Sequence, residues 1–480
     1  MNGRAEANEA TRGSAVKLGA ELLSRGLQLV TQLLLARGLA PAAFGDFGAA
    51  SAVALVAAEA ADLGLHGTAG RALVAGTTPL RGIVRAKLWL TLPFLAAALL
   101  LLPFFPLLTP LLLWFGGSGW AEILGVALRA RGRRGQEALV LLVLRLVGLL
   151  LATLALARGG TGRECAWALA LSTVPAILLA AALARRAFRV SGAVHPDPAD
   201  PGVAALLRTS LPLAVNGGLA LLSLRVELLV VSVLAGALEA GYFQAALQVV
   251  QVLNSTVPTS LCAGAMPQLT REALRAGKEP GTREASAESA VPPDGVRRRM
   301  AATVAFAAGP ACVGLALVAP ALTQTLYGAA YAPSAATLAV LAVGLVPLFL
   351  NGLYTHGLIA AEQARLLPRL TALRVALATV LAAVLVPLAG GPGAALGFAL
   401  SEAALLVLGA RAARHASFAI DSVRPTLIAL LASLPMAALV WPLRGQLPLA
   451  LGVGVVAFAA TLALLARSSR VRFELGYSSS

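Results

Sequence analysis

The sequence predicts an all-α polytopic membrane protein of about fourteen transmembrane helices: two six-helix lobes in parallel repeat plus a C-terminal helix pair. Three observations predict it. The 480 residues are 58% hydrophobic and 12% charged, with a mean hydropathy of +0.82, more apolar surface than a soluble domain of this size buries. The apolar runs are about 20 residues long, rich in Leu and Ala and free of period-two alternation, which selects helices over an outer-membrane barrel. Ionisable side chains also recur inside those runs: Lys17, Glu21 and Arg25 in the first, Glu59, Asp62 and His66 in the second. A charge at the centre of a spanning helix costs about 2.5–3.5 kcal/mol on insertion scales, so it survives where it lines a cavity or pairs. A polar interior route is expected.

The spans follow in order. The first lobe holds 14–36, 47–70, 84–103, 107–128, 138–157 and 164–183, with Pro103, Pro106 and Pro110 crowding the turn between the third and fourth. The second holds 204–234, 241–261, 301–323, 334–360, 370–388 and 393–410, and a last pair covers 425–441 and 447–465. The polar start, Met1 to Arg12, precedes a span too interrupted by charge to be a signal-peptide core, so no cleaved leader is expected. The organisation read from these runs is an N-terminal lobe over 1–185, a cytoplasmic linker over 186–203, a C-terminal lobe over 204–414, and a last pair with a cytoplasmic tail over 415–480. HPDPADPG, His195 to Gly202, breaks any helix through the linker, and the polar composition of 271–299 favours disorder.

Charge tests this topology independently. With both termini inside, 30 Lys and Arg fall on the inner side against four outside, and Arg25, Arg145, Arg225 and Arg374 lie within spans. The net charge of +16 then reflects basic loops at an anionic leaflet, and nucleic acid is not implied. Both lobes begin on the same side. Offsetting the halves by about 196 residues lays Gly45, Phe47, Ala49 and Ala50 on Gly241, Phe243, Ala245 and Ala246, a short match consistent with a parallel repeat of the transporter kind. The polar route is expected between the lobes.

Polar stripes mark the candidate site. Glu21, Arg25, Gln28 and Gln32 recur at i, i+4, i+7 and i+11 on one face of the first helix, although Glu21 and Arg25 can also simply neutralise each other. Glu59, Asp62 and His66 follow at i, i+3 and i+7 in the second helix, with His66 near the inner interface. In the seventh, Asn216, Ser223 and Glu227 share a face while Arg225 points nearly opposite. Gln244, Gln248, Gln251 and Asn254 form a stripe on the eighth, where amides suit sugar hydroxyls and equally suit bonds between helices. Glu122, Arg145, Asn351, His356, Arg374 and Glu402 are single interior candidates. Guanidinium meets phosphate oxygens bidentately, so Arg25, Arg145 and Arg225 are the candidates for an anionic headgroup. Glu21, Glu59, Asp62 and Glu227 are the candidates for ion coupling.

Several classes are excluded or weakened. The chain has no GxxxxGK[ST] phosphate loop, and its three lysines are Lys17, Lys87 and Lys278. Cys165, Cys262 and Cys312 are isolated in or beside apolar stretches and provide neither a disulfide framework nor a metal set. No cluster has catalytic or metal-ligand spacing, so an enzyme, a metal site and a bound cofactor are not expected.

Three segments carry a family resemblance: LLLARGLAPAAFGDFGAASAVALVAAEAADLGL (Leu33 to Leu65), SLPLAVNGGLALLSLRVELLVVSVLAGALEAGYFQAA (Ser210 to Ala246) and YAPSAATLAVLAVGLVPLFLNGLYTHGLIAAEQ (Tyr331 to Gln363). In this order they resemble the Wzx-type polysaccharide biosynthesis and export flippases of the MATE/MOP superfamily, over about the first twelve spans. The resemblance implies two six-helix lobes around a cavity. It also implies translocation of undecaprenyl-diphosphate-linked oligosaccharide from the inner to the outer leaflet of the bacterial cytoplasmic membrane by alternating access. The implied drive is the membrane potential, with coupling to H+ or Na+ open, and the implied partners are the lipid-linked glycan, the bilayer, a polysaccharide polymerase and glycosyltransferases. The family often carries Asp two residues after an arginine in the seventh helix; this chain has Arg225 and Glu227. Alternative readings are a lipid II flippase, a cation-coupled multidrug exporter and a non-transporting scaffold.

Overall fold

Lipid offers the backbone no hydrogen-bond partner, so a chain this apolar satisfies its peptide groups internally as helices. The computed structural model does so: it describes Gly19 and residues 23–190, 202–255, 293–360, 363–415 and 420–465, and contains no strand among them. Residues 23–38 form α1, followed by α2 (Pro41–Asp62), α3 (Leu65–Val74), α4 (Leu80–Leu101), α5 (Leu108–Ala130), α6 (Arg134–Ala157) and α7 (Gly162–Val190). Then come α8 (Val203–Ser223), α9 (Val226–Leu234), α10 over 236–255, α11 (Pro293–Tyr327), α12 (Ser334–Val343) and α13 (Leu345–Ala360). The chain closes with α14 (Leu367–His415), α15 (Val423–Val440) and α16 (Leu447–Leu465). Side chains turned away from the protein are apolar, among them Leu100, Leu178, Val233, Leu388 and Val455, each at least 65% exposed. That surface is compatible with acyl chains and not with water.

Nine described helices are long and apolar enough to cross a membrane, eleven if each of two bent pairs is one span. All fourteen predicted stretches contain helix. Three predicted continuous spans are broken instead. Span 47–70 breaks at Leu63 and Gly64, with φ of 45° and 71°. A Cβ at Gly64 would lie 2.5 Å from Ser210 O and 2.6 Å from Ala214 N, so the break admits the backbone of α8. Thr68 and Ser210 hydroxyls then meet at 2.6 Å. Span 204–234 bends by 52° between α8 and α9, and span 334–360 by 44° at Gly344, where a Cβ would sit 2.8 Å from the Phe398 ring.

α14 is two helices. Straight, its 49 residues would reach about 73 Å, over twice the hydrocarbon thickness. The chain reverses at Ala389 and Gly390, where Gly390 has φ 56°. A Cβ at Gly397 would meet Ala382 N at 3.2 Å, and one at Gly393 would run into Leu385 O. In a straight helix residues 382 and 397 would be about 22 Å apart. The predicted spans 370–388 and 393–410 are therefore the arms of this hairpin.

The described chain forms two compact units, Met1–Leu222 and Ser223–Ser480. α8, which the sequence reading gives to the second lobe, packs in the first unit through Ser210 and Ala214. Leu65, Ile83, Leu124, Leu128, Leu144 and Ala180 centre one core of the first unit. In the second, α15 and α16 rest mainly on α11 through Val318, Met436, Val440 and Ala450. Phe47 and Phe243, the aromatic pair of the proposed repeat, are each buried, at 1% and 0% exposure.

Candidate functional site

Three polar assemblies stand among the described residues. In the first unit, the break after α2 leaves Asp62 at the helix end, where its Oδ2 accepts the His66 backbone N–H at 3.1 Å. The Asp62 carboxylate forms an ion pair with Lys87 of α4, and both side chains are under 10% exposed. His66 Nε2 lies 3.2 Å from Glu122 Oε2 of α5. Glu59 completes the row, one turn before Asp62 and within electrostatic reach of Asp62, His66, Glu122 and Lys87. The expected grouping of Glu59, Asp62 and His66 is thus a row that also recruits Lys87 and Glu122. Lys87 is the residue that sequence reasoning passed over, having counted it with the inner loop. Its signal was a lone lysine inside an apolar helix whose neighbour also held an unpaired acid.

The second assembly is a pocket lined by Gln28, Thr31, Gln32, Arg145, Gly148 and Ser172, among others. α1 brings the amides at i and i+4, α6 brings Arg145, and α7 brings Ser172. A Cβ at Gly148 would sit 3.3 Å from Ser172 Oγ, so glycine keeps this floor open. Arg145 Nε is enclosed without a hydrogen-bond partner, and no described carboxylate lies within ion-pair distance of the guanidinium. Arg25 and Gln28 are exposed on α1, Gln32 is half-buried, and Glu21 lies outside the described residues.

The third lies in the second unit. Arg374, with 1% of its side chain exposed, donates from Nη2 to Glu227 Oε1 and from Nη1 to Ser223 Oγ, both at 2.9 Å. Its Nε is 3.0 Å from Glu402 Oε1, and Asn351 Nδ2 donates to Glu402 Oε2 at 2.7 Å. Arg374, Glu227, Glu402 and Asn351 are thereby one buried network across α9, α13 and both arms of α14. The face argument for the seventh helix does not carry through the bend at Leu224 and Arg225, because the helix is discontinuous there; Ser223 and Glu227 meet through Arg374 instead. Arg225 is the N-cap of α9 and, like Arg145, has no described carboxylate within ion-pair distance.

On α10, Gln244 is buried while Gln248, Gln251 and Asn254 are half-buried. Gln251 Nε2 donates to Leu224 O at 3.4 Å, satisfying a carbonyl freed by the bend, and Gln244 Nε2 stands 3.5 Å from Gln248 Oε1. His356 Nδ1 pairs with Gly352 O at 2.7 Å in its own helix. No group of three or more His, Cys, Asp or Glu could hold a metal among the described residues.

The apolar, repeatedly broken helices form a multi-pass membrane scaffold, and solved structures show its fold to be that of the MOP transporters. The chain aligns with the lipid II flippase MurJ in an inward closed conformation over 94% of its own length and 99% of that chain, at TM-score 0.72 and 12% identity. An inward-facing multidrug resistance MATE transporter of the MOP superfamily aligns over 84% and 98%, at TM-score 0.60 and 14% identity. The Vibrio cholerae MATE transporter VcmN aligns over 85% and 97%, at TM-score 0.51 and 16% identity. At these identities the likeness is one of fold. No curated protein matches the sequence. Residues 10–271 match the polysaccharide biosynthesis protein family, and the chain belongs to it.

Proposed function

We propose that the protein is a flippase that carries an undecaprenyl-diphosphate-linked oligosaccharide from the inner to the outer leaflet of the bacterial cytoplasmic membrane by alternating access. The family supports the substrate class, since a protein of polysaccharide biosynthesis meets its glycan on a lipid carrier. The observation that carries the reading is Arg145: a guanidinium within a spanning helix, lining a pocket where Gln28, Gln32, Thr31 and Ser172 stand beside Trp114, Leu144 and Leu169, with no described carboxylate within ion-pair distance. Arg145 is half-buried with its Nε enclosed, and a phosphate is the natural bidentate partner of a guanidinium without a carboxylate beside it. Gln28 and Gln32 supply amide donors for further phosphate or sugar oxygens, while the Thr31 and Ser172 hydroxyls, which donate to Leu27 O and Leu169 O, can accept from sugar hydroxyls. In the second unit Arg225 is the corresponding unpaired guanidinium, while Arg374 holds its own elements together. The termini are cytoplasmic in this reading, and a polymerase and glycosyltransferases act on the same glycan.

Vesicles reconstituted with a fluorescent lipid-linked oligosaccharide provide the test. Arg145→Ala is expected to lower leaflet transfer by at least tenfold, equal to about 1.4 kcal/mol of lost headgroup binding, and Arg145→Lys to recover part of it. Wild-type transfer by Arg145→Ala would end this assignment. The likeness in fold to MurJ favours one second reading, translocation of lipid II, which presents the same diphosphate on a different glycan. Supplying each lipid in turn separates the two.

A further inference from the structure

The row Glu59–Asp62–His66–Lys87–Glu122 has two unlike ends. Asp62 and Lys87 are 5% and 8% exposed and neutralise each other, so neither is open to exchange. His66 and Glu122 are 28% and 49% exposed, at the accessible end. The charged groups that face them are Glu59 and Asp62 from α2, Lys87 from α4, and Arg145 from α6, which lies within electrostatic reach of Glu122. α8 approaches the row at Gly217, where a Cβ would be 3.1 Å from Glu59 Oε1, and brings no charged group to Glu59 or His66. With His66 neutral, the three carboxylates outnumber Lys87 and Arg145 by one. A proton on His66 balances the set.

We infer that the His66–Glu122 pair is a proton-binding site whose occupancy is linked to an anion in the Arg145 pocket. This rests on the reading of that pocket as an anion site. When a phosphate takes up the Arg145 charge, Glu122 loses the cation that offsets it, and the row becomes more negative. One proton from the solvent buffer then adds to the imidazole, forming an N–H bond, and the resulting imidazolium donates a hydrogen bond to the Glu122 carboxylate; no other bond changes. Linkage is reciprocal, so the protonated pair holds the anion more tightly by the same factor.

The test uses purified full chain in detergent and farnesyl diphosphate as probe. Calorimetry at pH 5.5, 6.5 and 7.5, in buffers of different ionisation enthalpy, gives both Kd and the protons taken up per ligand. The probe's own titration is common to all variants, so differences between them report the protein. Wild type is expected to take up about one proton more than His66→Gln near neutrality, and to gain about tenfold more affinity between pH 7.5 and 5.5. Glu122→Gln is expected to lose the same excess, and it gives the same readout if His66→Gln does not fold. Equal proton uptake in wild type and a folded variant, with binding intact, would overturn the proton site alone. Unchanged binding in Arg145→Ala, or no binding by wild type, would overturn the anion reading on which it stands.

Discussion

Lys87 shows how one side chain sets the state of its neighbours. Its ammonium is held by Asp62 in surroundings that leave each under 10% exposed. Removing one partner of such a pair strands a buried charge, at a cost of about 3–5 kcal/mol, whereas removing both costs far less. Lys87→Met is therefore expected to lower the melting temperature of the detergent-purified protein sharply, and Lys87→Met with Asp62→Asn to recover most of the loss. Additive losses in the double variant would refute the pairing. Arg374 obeys the same rule with three partners in place of one. The sequence displayed Asp62, Glu227, Arg374 and Glu402 as intramembrane charges, because lipid makes each conspicuous, while Lys87, near a span end, was counted with the inner loop. It could not pair them, since the partners are up to 175 positions apart in the chain, as Glu227 and Glu402 are, and are joined only by packing.

At the scale of helices, the breaks matter more than the lengths. Gly64 joins a left-handed φ of 71° to a backbone contact with α8, so any side chain there is strained twice. Gly64→Ala is expected to cut the yield of folded, monodisperse protein severely, while Gly76→Ala, left-handed but with open space around its Cβ position, costs about 1 kcal/mol. Matching losses at both would show that conformation, and not the contact with α8, governs the first position. Hydropathy located the nine to eleven crossings found among the described residues because lipid imposes one length and one polarity on every crossing. It passed over the breaks at Leu63–Gly64, Leu224–Arg225 and Gly344, since a bend stabilised by a neighbour leaves the apolar average of its window unchanged. The reversal at Gly390 was legible, through the glycines and the proline at 390–393. The lining of the Arg145 pocket was half legible: the stripe on α1 announced Gln28 and Gln32, but Thr31 and Ser172 look like ordinary helix residues that bond their own carbonyls.

For the whole protein, the proposed outward transfer has a charge consequence. Moving about two negative charges outward across an inside-negative membrane releases roughly 4.6 kcal/mol per 100 mV. In vesicles loaded with lipid-linked oligosaccharide, collapsing the potential with valinomycin and balanced potassium is expected to slow outward transfer several-fold with substrate binding unchanged. Indifference to potential would remove the electrical drive from the proposal.

The last two helices invite a different kind of experiment. Since α15 and α16 lean mainly on α11 and contribute no member to any of the three polar assemblies, they form an appendage joined to the rest chiefly by apolar packing, with one polar tie where the Tyr354 hydroxyl meets Ser422 Oγ at the start of α15, 3.0 Å away. Shearing off such an appendage in water would bare a sticky flank, but in a bilayer lipid tails simply close over it. This hairpin is thus the natural place to splice in a reporter, or to exchange for another chain's, without rewiring the charges within.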